Sequence, residues 1–501
     1  MPSPREHIIS KGIAQLTRRT PLSVQSLRAL LLSLLASTTI HVSPGHAADN
    51  ALDNESELVT TDPVVQAQID RTLNRAPADR LAMRGSSQNL ARDFSLSGVK
   101  RVSIRTSRDG DLALSERPKF DTRIGDRFAH ATSNNNFVFY TVDADLQEYV
   151  SNLVNRAQAT HVAVVAMEPS TGAILAMSGK SPSIKDLEYH AGFPAASLFK
   201  VVTAAAAVEH AGIDTHSLIP FRGGTYTLNQ SNYYPDPRKD RRVMSVGEAL
   251  GRSCNPVFGH LGIRYLNGDV LAKYARLFGF NRDLSLDAPL PESSAWIPQD
   301  SQYELSRTSA GFGEVRISPI HAAAFISGVA NGGLLPRPQL IDTIVDEDGA
   351  VLRKQRPEML QRIVQTSTAE SLMEMMRYTT TVGTSRREFM RGSSPTLGAI
   401  DVAGKTGTLT GDNPVGLNNW FIGAAPVQNP KIALAVITVD PARTSKASHL
   451  ARLVFQKYFG VSPVEPATPV RGTSVKKSKT TRKATNRTYA KKPSKKAQRK
   501  R

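Results

Sequence analysis

The chain of 501 residues is predicted to fold as an α+β domain, an antiparallel sheet covered by helices. Three observations carry that expectation. Strand-like apolar runs stand near both ends of residues 137–460. Helical runs with their own start and stop signals lie between them. The segments outside that span lack a periodic apolar pattern.

Phe137 to Val142 is rich in β-branched and aromatic residues and reads as the first strand. Asp143 or Asp145 caps a helix expected to run through Ala159. A hairpin follows, from His161 to Glu168, through a turn at Pro169–Gly172, to Ala173–Met177. Phe193-Pro-Ala-Ala-Ser-Leu-Phe-Lys200 leads into an Ala/Val run, where Pro194 suits a helix start and Gly212 a helix stop. Ser245 and Glu248 form a capping box ahead of Val246 to Gly251. Ser318-Pro319 opens a helix closed by Asn331-Gly-Gly333, and Ser367 with Glu370 forms a second capping box for SLMEMMRY. Val402 and Ala403 lead into a strand bearing Thr406 and Thr408 around Gly407. Asn418 to Ala424 and Lys431 to Val439 make a strand pair joined through Asn429-Pro430. The last helix spans about Lys446 to Tyr458 and stops at Gly460.

The ends of the chain differ from this middle. Lys11, Arg18, Arg19 and Arg28 precede an apolar run, Ala29 to Ile40, with Gly45-His46-Ala47 as a small-residue cleavage site. Residues 1–47 are therefore expected to be a signal peptide or membrane anchor, and the protein to be exported, periplasmic or on the outer face of the cytoplasmic membrane. Thr17-Arg18-Arg19 followed by Leu22 leaves both general and twin-arginine export open. Residues 48–136 read as a linker or a small irregular region. Residues 461–501 read as a disordered basic tail: of the formal charge of +19, residues 471–501 supply 14 Lys and Arg with no acid. That tail suits solvent or an anionic surface or polymer. Nucleic acid is not expected, because aromatic residues do not interleave the charges. Cys254 is the one cysteine, so no internal disulfide forms, and it reads as a packing residue.

Three motifs stand in order inside the middle span: Ser197-x-x-Lys200, Ser253-x-Asn255 and Lys405-Thr406-Gly407. The first two patterns recur elsewhere, at Ser97 to Lys100 and Ser474 to Lys477, and at Ser87 to Asn89 and Ser133 to Asn135; only Lys-Thr-Gly is unique. Order and context give them weight. Ser197 and Lys200 lie three apart on one helical face. A serine near a helix N-terminus meets free N–H groups that favour an alkoxide. Lys200 must be neutral to take its proton, and burial together with a second cation, Lys405, would lower its pKa. Ser253 and Asn255 are expected at a turn just past a short helix, as a proton relay and an amide grip on substrate. Their alternative is ordinary capping and turn chemistry. Gly407 is expected to let a peptide approach the strand edge, with Lys405, Thr406 and Thr408 facing its anionic end. A phosphate-binding loop is excluded at Gly404-Lys405-Thr406, because Ala399 stands where its first glycine is needed. The pattern asks for no cofactor and no metal.

With these motifs, YTVDADLQ, VVAMEPSTGAILAM, AGFGEVRISPIHAAAFISGVANGG and NNWFIGAAPVQNPKIALAVI give residues 137–460 a marked resemblance to the transpeptidase domain of penicillin-binding proteins. The resemblance implies a serine acyltransferase that cross-links peptidoglycan stem peptides and is acylated by β-lactam antibiotics. It implies that Ser197 attacks the penultimate D-Ala carbonyl, Lys200 takes its proton, and Ser253 passes a proton to the departing D-Ala. It further implies an oxyanion hole from the backbone N–H groups of Ser197 and Thr408, a grip on the stem by Asn255, and reception of the terminal carboxylate by Lys405, Thr406 and Thr408 along the Gly407 strand. Ala196 stands where many relatives carry glycine, which should shift the backbone slightly without loss of activity. There is no motif for a glycosyltransferase domain, and the region before Phe137 is short for the usual monofunctional class B enzyme. The alternatives are a D,D-carboxypeptidase or endopeptidase, a serine β-lactamase with Glu292 near its water-activating position, and a non-catalytic β-lactam-sensing or wall-binding protein.

Overall fold

The computed structural model describes residues 100–106, 112–440 and 446–462. The chain divides into two units, residues 1–81 and 82–501, and every described residue lies in the second. The expected leader and the basic tail at 471–501 fall outside the described residues.

The central sheet has five antiparallel strands: β1 (His161–Met167), β2 (Ile174–Lys180), β3 (Ala403–Asp412), β4 (Val415–Ala425) and β5 (Ile432–Val439). Their order is β3-β4-β5-β1-β2, so β3 is an edge. Helices cover both faces. On one side lie α1 (Ala144–Arg156) and α8 (Ala447–Phe459), which close over Val162, Val164, Leu434 and Val436. On the other side α6 (Pro319–Ala330) packs over Ala163, Val165, Ala435 and Ile437. This explains why every residue of β1 and β5 is buried: alternate side chains enter two different cores. Each fully buried Val, Leu or Ile contributes ~1.5–3 kcal/mol by leaving water.

Between the strands run α2 (Lys200–Ala211), α3 (Val246–Gly251), α4 (Asn255–Arg264), α5 (Gln302–Ser309) and α7 (Thr366–Thr381). The expected α+β layout, the caps at Asp143, Ser245 and Ser318, and the left-handed stops at Gly212 and Gly460 are all present. Several boundaries differ. Helix α1 stops at Arg156 rather than Ala159, because Lys180 Nζ takes the Ala157 carbonyl at 2.5 Å and the chain turns extended there. Ser367 caps nothing: α7 begins before it, and Gln365 donates its backbone N–H to the Glu209 carboxylate. Pro194 begins no helix either. It belongs to a two-residue strand, Phe193–Pro194, paired with Val315–Ile317.

The region before Phe137, expected as a linker or irregular segment, carries strands. Arg127–Thr132 pairs antiparallel with Phe137–Asp143, and Arg101–Val102 runs parallel beside it. Ile341–Val345 and Val351–Lys354 extend the same sheet. A boundary at Phe137 therefore cuts a hairpin, because the strand on its far side comes from the polar segment.

Candidate active site

Ser197 sits in a single 3-10 turn, Ala196–Phe199, that passes into α2. That turn is pinned to the sheet from below: Trp420 Nε1 donates to the Pro194 carbonyl at 2.9 Å. Ala196 adopts φ +50, a left-handed conformation that costs a non-glycine residue ~1–2 kcal/mol. The glycine expectation at this position thus has a backbone reason, and alanine here bears the strain.

Lys200 is wholly buried one turn beyond. Its Nζ lies 2.9 Å from Ser197 Oγ and 2.8 Å from Asn255 Oδ1, and it also donates to the Ala310 carbonyl. Burial pushes its pKa down to about 7. Three neighbours suit both protonation states. An ammonium donates to all three; a neutral amine donates to Asn255 and Ala310 and accepts from the serine hydroxyl. A proton can therefore pass from Ser197 to Lys200 with no heavy atom displaced. The Ala310 carbonyl is available because Gly311 (φ +88) turns the chain against the nucleophile; a Cβ there would lie 2.2 Å from the Ala196 oxygen.

Ser253 follows α3 in a left-handed conformation, φ +57, and Asn255 is the first residue of α4 rather than part of an open turn. Pro256 at the helix start and Cys254, buried beside it, set that helix. Lys405 Nζ donates to Ser253 Oγ at 2.9 Å and to the Thr406 carbonyl at 2.8 Å. Lys405 is also wholly buried; burial first, and the charge of Lys200 second, hold its pKa well below the usual lysine value. So Lys405 faces inward to Ser253, while Thr406 and Thr408 face the cleft from the opposite side of β3.

Gly407 packs closely against the nucleophile turn. Its missing Cβ points at Trp420, at the Ala195 carbonyl 3.3 Å away and at Ala196 Cβ 3.4 Å away. The bare position lets β3 close on the nucleophile turn. Thr384, unnoticed in the sequence, meets Thr406 hydroxyl to hydroxyl at 2.6 Å and is held by its own N–H on the Gly251 carbonyl. Asn419 supports Thr408 at 3.3 Å. Thr384, Ala310 and Gly311 come from segments with no local chemical signature, though AGFGEVR flagged the last two.

Ser197, Ser253, Asn255, Thr384, Thr406 and Thr408 line, among others, one cleft of about 590 Å³, and Lys200 and Lys405 are buried behind them. One wall is the edge strand β3, whose free backbone groups can pair with an extended peptide. Glu292 is exposed and does not line the cleft.

The penicillin binding protein transpeptidase domain family matches residues 162–459. Peptidoglycan D,D-transpeptidase PbpA of Mycobacterium tuberculosis is 29% identical over 387 residues, covering 68% of this chain and 75% of that protein. Stage V sporulation protein D of Bacillus subtilis is 26% identical over 328 residues, covering 61% and 50%. Among solved structures, the imipenem acyl-enzyme complex of penicillin-binding protein A from M. tuberculosis superposes with a TM-score of 0.53 at 27% identity, over 66% of this chain and 80% of that one. The D,D-transpeptidase domain from Eggerthella lenta shares the fold, with a TM-score of 0.54 at 21% identity over 72% and 95%.

Proposed function

The chain belongs to the penicillin-binding protein transpeptidase family, and from that premise we propose that it is a peptidoglycan D,D-transpeptidase working through a serine acyl-enzyme. The observation that carries the reading is the hydrogen-bonded path from Ser197 through Lys200 and Asn255 at the edge of β3, with Ser253 and Lys405 beside it.

Ser197 Oγ attacks the carbonyl of the penultimate D-Ala, and its proton passes to neutral Lys200. The N–H groups of Ser197 and Thr408 receive the oxyanion. The C–N bond breaks, and the departing D-Ala amine takes a proton relayed through Ser253 from the lysine pair. The terminal carboxylate rests on Thr406 and Thr408, with Lys405 beneath as the counter-charge it draws out. Thr384 fixes the Thr406 hydroxyl. Asn255 offers its remaining amide hydrogen to the stem backbone. An amine from a neighbouring stem then attacks the ester, and Ser197 recovers its proton. β-Lactams enter as carbonyl mimics and stay on Ser197. The substrate lies outside the cytoplasm, so the reading requires export, which the basic and apolar leader supports. Among the described residues no helix is long and apolar enough to cross a membrane. The basic tail would hold the enzyme on an anionic wall polymer.

A fluorescent penicillin tests the nucleophile. Wild type should label covalently and Ser197→Ala should not; equal labelling overturns the assignment. Rapid turnover of the drug would favour a β-lactamase, although the exposed Glu292 speaks against one. Products from a pentapeptide with a D-amino-acid acceptor separate transfer from hydrolysis: exclusive hydrolysis rejects the transpeptidase in favour of a carboxypeptidase.

A further inference from the structure

The loop of residues 222–241 brings Tyr226 to the cleft and has chemistry the reaction does not use. It is tied to the site by Asn255, whose backbone N–H donates to the Thr225 carbonyl at 2.8 Å and whose Nδ2 donates to the Tyr226 carbonyl at 2.7 Å. The loop is also firmly built. Asn232 is buried and bonds Arg222, Thr227 and Asn229, its carbonyl lies 3.0 Å from His260 Nε2, and Arg222 pairs with buried Asp240 at 2.6 Å. Yet this rigid loop turns apolar rings outward. Tyr226 lines the cleft and is 66% exposed; Tyr234 is 52% exposed and packs on Tyr233, which packs on Tyr303 of α5. Arg238 and Arg241 are exposed on the same loop and form no ion pair among the described residues.

We propose that this loop is the recognition wall for the upstream part of the donor stem peptide, with the Tyr226 ring covering its backbone and Arg238 and Arg241 attracting its carboxylates. The inference rests on the transpeptidase reading. A peptide paired along β3 and gripped by Asn255 must pass beside the residue whose carbonyl Asn255 holds. Tyrosine covers a peptide plane at little entropic cost because it has only two rotatable side-chain bonds. Stem peptides carry side-chain carboxylates, which complement the exposed charges of Arg238 and Arg241. Asn255 also holds Lys200, so the Tyr226 backbone and the base share one anchor.

The test compares acylation by a full pentapeptide stem with acylation by a short N-acyl-D-Ala-D-Ala. For Tyr226→Ala, kcat/KM with the pentapeptide should fall about tenfold more than with the short donor, mainly through KM, and Tyr226→Phe should restore it. Arg238→Ala/Arg241→Ala should lose several-fold with the carboxylate stem, less at high salt, and little with its amidated form. Equal losses for both donors would reduce the loop to a structural element and overturn the proposal, as would no loss for either. Competition by peptide-free glycan strands, rather than by free stem peptide, would also overturn it. Failure of fluorescent penicillin to label wild-type Ser197 would instead sink the enzymatic reading itself.

Discussion

Two regions of the cleft floor each bury a lysine completely, and they are built differently. Around Lys200 the amine has three oxygen neighbours, one of them the nucleophile, so it can lose or gain a proton in place. Around Lys405 the amine has two partners, Ser253 Oγ and the Thr406 carbonyl, beneath the strand face that carries Thr406 and Thr408. The first region is complete without a ligand. The second lies behind Thr406 and Thr408, which line the cleft. The contrast teaches how one cleft buries two amines with different surroundings: burial lowers both pKa values, and the charge of Lys200 lowers that of Lys405 further.

The sharpest way to break this contrast is Lys200→Met. Acylation by penicillin should fall about a thousandfold, as for loss of a general base. In wild type, the acylation rate should rise with pH and level off above about 7, where Lys200 is neutral. A profile that keeps rising towards the ordinary lysine value of 10.5 would return the base to an unperturbed lysine. Stability follows the same sign. Between about 7 and 10.5 the unfolded chain binds a proton at this lysine that the folded one does not, so stability of wild type relative to Lys200→Met should increase with pH across that window. Denaturant midpoints at several pH values measure it.

On the Lys405 side the expected effect is smaller. Thr384→Val removes the hydroxyl that meets Thr406 at 2.6 Å. Acylation by a penicillin with a free carboxylate should slow about tenfold, the worth of the one neutral hydrogen bond that orients the Thr406 hydroxyl. The methyl ester of the same drug should be much less affected, and Thr384→Ser should recover the loss. Equal slowing of acid and ester would detach Thr384 from carboxylate binding.

The smallest effect concerns the turn that joins the two regions. Ala196→Gly relieves the left-handed strain at φ +50, partly offset by the looser unfolded chain. A net gain of about 1 kcal/mol or less is expected in denaturant unfolding, with labelling rate unchanged. A clear loss of stability would mean that the Ala196 methyl, packed near Gly407, outweighs the strain.

Much of this molecule was legible residue by residue. The helix stops at Gly212 and Gly460 and the caps at Ser245 and Ser318 are local events, so their signals survived into the fold. Ser197 and Lys200 meet because three residues make nearly one helical turn, which spacing alone dictates. The errors arose where distant chain intervened. Pro194 was drawn into a strand by Val315–Ile317, and Gln365 was held by Glu209 from another helix. The strand Arg127–Thr132 before Phe137 carries little signal of its own because RFAHAT holds a single β-branched residue and no alternation, although it is interior and mostly buried in the sheet.

By itself the sequence determined the reactive residue types, their order and the one pairing that lies within a helical turn. Tertiary structure decided the rest: that Lys405 turns inward to Ser253 across 152 residues, that Gly407 serves the nucleophile turn, and that Ala310 and Thr384 join the site. The reason is physical. Backbone periodicity acts over a few residues, whereas burial, which sets both lysine pKa values, exists only after the sheet and helices have closed around them.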